Sequence, residues 1–205
     1  MQLYKLTNLN GNTKNNTHWE IGITHSLPEK RNPRLCSGDV FHAYTSPLLA
    51  AFMNSAHANY QKPLCFTTDG EIAITDGTKV GSFSLTVTGV FILPQCTKVQ
   101  HTAFGILSAL KVYKDAVFVL WADNWLSGKD RSYAAAAAVA AAAADAAAYA
   151  AAAAYAADAA ADAADAADAA AYAADAAARA ADAAAAAKSS IQIDFQALAE
   201  EALKY

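Results

Sequence analysis

Histidine is the residue type in this sequence best suited to acid–base or ligand chemistry, and one of the five histidines stands in a favourable place. His42 follows strand-like residues and precedes a helix start, where connecting segments often carry functional groups. The five histidines form no HxxxH or HExxH pattern. The sequence therefore predicts no metal site and no catalytic residue, and it makes His42 and Tyr44 the candidate ligand-binding residues.

Cysteines and glycine-rich motifs add no reactive centre. Cys36, Cys65 and Cys96 lie about thirty residues apart, so they cannot all pair within one chain, and they show no CxxC metal spacing. No phosphate-cradling glycine loop and no nucleophile elbow occurs. We therefore expect reduced thiols and no cofactor, and the sequence favours a protein that is not an enzyme.

Short strands are predicted on both sides of His42 by segments rich in β-branched and aromatic residues. These segments are residues 18–24, 63–67 and 82–93. Gly89, inside the third of them, is placed for a β-bulge. Together they predict a small mixed or antiparallel sheet.

A helix start follows the candidate residues directly. Ser46 is a suitable cap and Pro47 suits the first helical turn. Apolar residues then recur on one face, namely Leu49, Phe52, Met53, Ala56 and Tyr60. A second apolar helical segment is predicted over residues 103–113. Strands mixed with helices in this order predict an α+β domain over residues 1–130.

The alanine-rich segment over residues 134–187 is the most unusual part of the sequence. Of its 54 residues 42 are alanine, and none is glycine or proline. Alanine is the best helix former, so the segment predicts a helix of about 80 Å. Asp145 and Tyr149 lie out of register with the later polar residues, which leaves open a helical hairpin with a break near 150–154. We assign an alanine-rich module to residues 131–188 and a short C-terminal helix to 189–205.

Polar residues interrupt the second part of this segment every three or four positions. They are Tyr155, Asp158, Asp162, Asp165, Asp168, Tyr172, Asp175, Arg179 and Asp182. On a helix wound at about 3.5 residues per turn they form one narrow stripe, and the remaining surface is alanine. Alanine faces let two helices approach closely, so the pattern predicts packing against a second copy or another protein. The stripe itself is either a solvated face or a surface for cations or a basic partner.

Charge and hydropathy exclude two classes of partner. Residues 1–133 carry 12 Lys and Arg against 9 Asp and Glu, whereas residues 134–205 carry 3 against 10. Because no basic cluster occurs, we expect no nucleic-acid binding. The aspartates of the stripe would be costly inside a bilayer, so we expect no membrane span.

The first ten residues do not have the pattern of a signal peptide, so a cytoplasmic location is expected.

Several residues around His42 resemble an uncharacterised domain family common in phage and prophage genomes. They are Leu35-Cys36, Gly38, Phe41-His42-Ala43, Pro47-Leu48 and the later strand residues Val87-Thr88-Gly89-Val90. Members of that family typically carry a GFHA core, where this chain has Val40-Phe41-His42-Ala43. The resemblance covers about residues 17–95, and the alanine-rich segment is similar to tails of phage-encoded proteins. It implies a phage or prophage origin and action in the host cytoplasm.

Three functions follow as hypotheses. The first is a non-enzymatic phage or prophage accessory protein whose alanine-rich helices mediate assembly or partner binding. The second is a nucleotide-binding or ADP-ribosyltransferase-like domain with its site near His42, because the order of strand, histidine, helix and strand is loosely similar to that fold. The third is a structural component of the virus particle.

Overall fold

The computed structural model describes residues 1–136 and 193–205, which belong to two units, Met1–Gln95 and Cys96–Tyr205. Antiparallel sheets and helices build the described part, so the predicted α+β class is confirmed. The two units divide after Gln95, whereas the sequence composition placed a boundary near residue 130. Residues 134–136 of the predicted alanine-rich helix are helical; its remainder, its polar stripe and its break lie outside the described residues.

Seven strands build the first unit, all of whose residues are described. They are β1 (Gln2–Thr7), β2 (Thr24–Ser26), β3 (Phe41–Ala43), β4 (Leu64–Asp69), β5 (Ile74–Thr75), β6 (Val80–Ser82) and β7 (Ser84–Phe91). One sheet has the order β1-β4-β7-β2 and the other the order β3-β6-β5, and every neighbouring pair is antiparallel. One hydrophobic core cluster of this unit contains Leu3, Trp19, Ala43, Phe66, Val80, Leu85 and Val87.

Two of the three predicted strand segments are strands, and the first is not. β4 corresponds to the prediction over 63–67, and β6 with β7 to that over 82–93. The prediction over 18–24 is wrong, since His18 makes only an isolated bridge to Asn12 and the strand begins at Thr24. Gly22, at φ +87°, turns the chain inside this segment, a conformation that glycine adopts without steric cost.

The predicted bulge lies within one residue of its expected place. The register between β4 and β7 shifts between Thr67 and Thr68, so Thr88 is the extra residue beside Gly89. Thr67 pairs with Gly89, and a Cβ at Gly89 would lie 3.0 Å from the Thr67 hydroxyl oxygen. A glycine therefore lets β7 approach β4 closely next to the bulge.

The predicted helix after Tyr44 is confirmed as α1 (Pro47–His57). The Ser46 hydroxyl accepts a hydrogen bond from the Leu49 amide at 3.1 Å, and Pro47 occupies the first turn, where no intrahelical donor is required. The helix contacts β1 and buries Leu48, Leu49, Ala50, Phe52 and Met53. It thereby places His57, in its last turn, beside the strands.

The described residues of the second unit are helical. They form α2 (Lys98–Val112), α3 (Ala116–Leu126), a short helical stretch over 133–136 and α4 (Phe195–Ala202), and α2 contacts both α3 and α4. α2 begins before the predicted residue 103 because Thr97 and Gln100 cap each other's backbone amides. None of the described helices combines the length and hydropathy needed to cross a bilayer.

Candidate functional site

His42 lies at the middle of β3 and is held from two directions. Its ring Nε2 accepts a hydrogen bond from the Cys36 backbone amide at 2.9 Å. Its backbone carbonyl accepts one from Lys5 Nζ at 2.7 Å. Because an amide only donates, Nε2 carries no proton, and in the neutral ring the proton lies on Nδ1. His42 is half-buried, so its ring keeps some access from outside.

The neutral ring is also the form that the surroundings of His42 favour. Burial, together with the positive charges of Lys5 and Lys79, lowers the pKa of His42 to about 4. His42 therefore stays neutral at physiological pH. A neutral ring with Nε2 occupied offers one polar atom, the Nδ1–H donor.

Lys5 is the most unusual group near His42. It points inward from β1, is 7% exposed, and its ammonium nitrogen lies 4.7 Å from the centre of the Trp19 ring. Within residues 1–136 and 193–205 no carboxylate pairs with it. Burial accordingly lowers the pKa of Lys5 to about 7. The cation is stabilised by the His42 carbonyl and by the ring face instead.

A chain of four side chains continues from β3 to the β5–β6 hairpin. The Tyr44 hydroxyl lies 3.2 Å from His57 Nδ1, His57 Nε2 lies 3.2 Å from Lys79 Nζ, and Lys79 Nζ lies 2.8 Å from Asp76 Oδ2. An ammonium group has donors only, so His57 accepts at Nε2 and donates from Nδ1 to the Tyr44 oxygen. Both nitrogens of His57 are therefore engaged.

Asp76 anchors the far end of this chain. Its Oδ1 accepts hydrogen bonds from the Thr78 and Lys79 amides at 2.9 and 3.0 Å, which closes the turn between β5 and β6. Burial acts to raise the pKa of Asp76, but hydrogen bonds from Lys79 hold it below its ordinary value. Because each carboxylate oxygen is occupied, the network ties α1 to the hairpin rigidly.

Replacing Tyr44 with phenylalanine tests this network, because the change removes only the hydroxyl. The His57 Nδ1–H group then loses its acceptor, and we expect the free energy of unfolding to fall by about 1–2 kcal/mol, measured by urea denaturation. Tyr4→Phe is the matched control, since the Tyr4 ring packs edge-on against Phe91 and is expected to lose less than about 0.5 kcal/mol. Equal losses in the two variants would contradict a stabilising role for the network.

The segment before β3 presents the Cys36 amide to His42. Asp39 is buried and forms ion pairs with Lys30 and with Arg34, the latter at 3.2 Å. Hydrogen bonds from Lys30 and then Arg34 lower the pKa of Asp39 to about 2. Cys36 adopts a left-handed backbone conformation at φ +57°, which is uncommon for a residue with a side chain. The Ser37 hydroxyl, which donates to the Arg34 carbonyl at 2.7 Å and accepts from the Asp39 amide at 3.1 Å, closes this turn next to the ion pairs.

The structure brings both candidate residues of the first unit to one region but gives them separate partners. His42 binds the Cys36 amide, whereas Tyr44 binds and stacks on His57, with ring centres 5.9 Å apart. Sequence reasoning missed Lys5 and Lys79, which both influence His42 electrostatically. The alternation of the β1 sequence, which places Lys5 between inward-facing Leu3 and Thr7, was the available signal.

The remaining predictions concern the cysteines, metal binding and the polar stripe. Cys36, Cys65 and Cys96 form no disulfide, and the described residues contain no cluster of three groups suited to a metal ion. The polar stripe lies outside the described residues. Comparison with known proteins finds no matching family model, no matching curated protein and no matching solved structure.

Proposed function

We propose that this chain is a non-enzymatic phage or prophage accessory protein that acts by assembly and partner binding, in the host cytoplasm. The observation that carries this choice over catalysis is the engagement of the acid–base groups around His42. Hydrogen bonds within the protein engage Nε2 of His42, both ring nitrogens of His57 and both carboxylate oxygens of Asp76. A general base needs a free atom within reach of the proton that it removes.

Assembly is assigned to the alanine-rich segment on the basis of its sequence. The polar residues from Tyr155 to Asp182 recur at the period that keeps two helices in register over many turns. Small side chains on the rest of the surface permit close backbone approach. A second copy of this chain, or another protein with a similar helical face, is therefore the expected partner.

Glutamates placed on the alanine side test this assignment. We expect the full-length protein to be oligomeric by light scattering coupled to gel filtration, and Ala160→Glu with Ala167→Glu to lower its mass toward the monomer. These positions lie seven residues apart and opposite the stripe on the predicted helix. Asp158→Glu with Asp165→Glu introduces the same residues on the stripe and should leave the mass unchanged. A strictly monomeric protein at high concentration that recovers no partner in a pull-down would exclude the proposal.

A second function, binding of an anionic small molecule such as a nucleotide near His42, is favoured by a specific observation. Among the described residues, the charges that influence His42 are the positive Lys5 and Lys79 and the negative Asp76. Both lysines are buried; Lys79 pairs with Asp76 at 2.8 Å, whereas Lys5 has no carboxylate partner in the part of the chain that the structure describes. Such a surplus of positive charge next to a half-buried donor favours phosphate or carboxylate groups.

Thermal denaturation in the presence of NAD, ADP-ribose and cyclic nucleotides tests the second function. A ligand at a hundred times its dissociation constant stabilises a folded protein by about 2.7 kcal/mol, which raises the melting temperature by several degrees. We expect at least one of these compounds, and not adenosine, which lacks the phosphate, to produce such a rise. No rise with any of them would exclude nucleotide binding and leave the assembly function unaffected.

A further inference from the structure

The hydrogen bond from Cys36 determines what His42 is able to do. Because Nε2 accepts from a backbone amide at 2.9 Å, the ring proton of neutral His42 lies on Nδ1. The amide belongs to a segment that contains the ion pairs of Asp39, and the His42 backbone is fixed by Lys5. The hydrogen bond from the Cys36 amide thus orients the ring, and that from Lys5 holds the backbone of His42. Within the described residues the ring has Cys36 as its hydrogen-bond partner and none at Nδ1.

The charged groups near His42 determine which ligand charge the Nδ1–H group favours. They are the positively charged Lys5 and Lys79 and the negatively charged Asp76, whereas His57 accepts from Lys79 at Nε2 and is neutral. Asp76 is already bound by Lys79 and by two backbone amides. The field at His42 therefore attracts an electron-rich oxygen and repels a cation.

We propose that His42 binds the anionic ligand as a hydrogen-bond donor, through Nδ1–H to a phosphate or carboxylate oxygen. This inference rests on the second proposed function and names its contact. A donor at this position distinguishes anionic ligands from metal ions and amines, because a protonated Nδ1 cannot ligate a metal ion or accept a hydrogen bond from an amine. Lys5 and the Cys36 amide are positioning groups in this arrangement and do not touch the ligand.

Nitrogen-15 NMR of the full-length protein labelled at histidine reads the tautomer directly. At neutral pH, His42 should show a protonated Nδ1 and an unprotonated Nε2, and addition of ADP-ribose or inorganic phosphate should shift the Nδ1–H signal most. A protonated Nε2 would overturn the inference. A ligand that raises the melting temperature without moving the His42 signals would also overturn it, while leaving ligand binding itself intact.

Two substitutions give an independent test, since asparagine places an amide donor near the position of Nδ1 and glutamine near that of Nε2. His42→Asn should bind ADP-ribose within a few-fold of the unmodified protein. His42→Gln should bind roughly ten- to a hundredfold more weakly, the effect of losing one hydrogen bond to a charged group. The reverse order would overturn the donor role. Absence of binding by the unmodified protein would overturn the ligand function and this contact together.

Discussion

Replacing Lys5 with methionine should abolish a rise in stability that we expect for the first unit between about pH 7 and pH 9. Burial lowers the pKa of Lys5 to about 7 in the folded protein, against 10.5 when exposed. Below pH 7 both states carry the proton, and the full cost of burying the cation is present. As the pH rises above 7, the folded state loses this proton while the unfolded chain keeps it, so folding becomes more favourable.

The slope expected from Lys5 approaches about 1.4 kcal/mol per pH unit, which amounts to about 2–3 kcal/mol over this interval. The buried Cys65 acts in the opposite direction as the pH approaches 9, because burial raises its pKa from 9.0 to about 12 and the unfolded thiol ionises first. Since Lys5→Met retains Cys65, the difference between the slopes of the two proteins isolates the lysine. Urea denaturation at several pH values within this interval measures the slope.

Lys62→Met is the matched control, because Lys62 is exposed and its replacement should leave the pH dependence unchanged. Lys5→Met also removes the donor to the His42 carbonyl, which costs about 1–3 kcal/mol at every pH. The test of Lys5 is therefore the slope of the free energy of unfolding against pH, and not the free energy at any one pH. If Lys5→Met and the unmodified protein showed parallel curves, Lys5 would be charged and solvated in the folded state, contrary to the structure.

Replacing Trp19 with alanine should lower the free energy of unfolding by about 3–5 kcal/mol. Trp19 is 1% exposed, its ring centre lies 4.3 Å from that of His25 and 5.3 Å from that of Phe41, and Lys5 lies over its face. The cavity would remove packing from both sheets and leave the Lys5 cation without its ring. Since domains are stable by only about 5–15 kcal/mol, much of the first unit should unfold at moderate temperature.

Circular dichroism during urea denaturation measures this loss. Ile21→Ala is a control two residues away, because Ile21 is 57% exposed and its truncation should change stability by less than about 0.5 kcal/mol. A loss below about 1 kcal/mol for Trp19→Ala would mean that the segment around residue 19 does not pack into the core.

Local signals predicted the elements that depend on local chemistry. Ser46 and Pro47 identified the start of α1, because capping and the missing proline donor act within one turn. The β-branched run around Val87 identified β7, and Gly89 located the bulge to within one residue. β1 was missed because a lysine at its centre is usually exposed, whereas here a ring face and a carbonyl from distant residues stabilise it.

The sequence by itself determined the α+β class, the helix after Tyr44 and the choice of His42 as a candidate, since these follow from periodicity, capping and residue type. Only the tertiary structure decided the chemistry of that candidate. Cys36, six residues earlier, occupies Nε2, and Lys5, 37 residues away, holds the backbone. Hydrogen bonds and burial set the tautomer and pKa of a histidine, and both depend on which distant residues folding brings together.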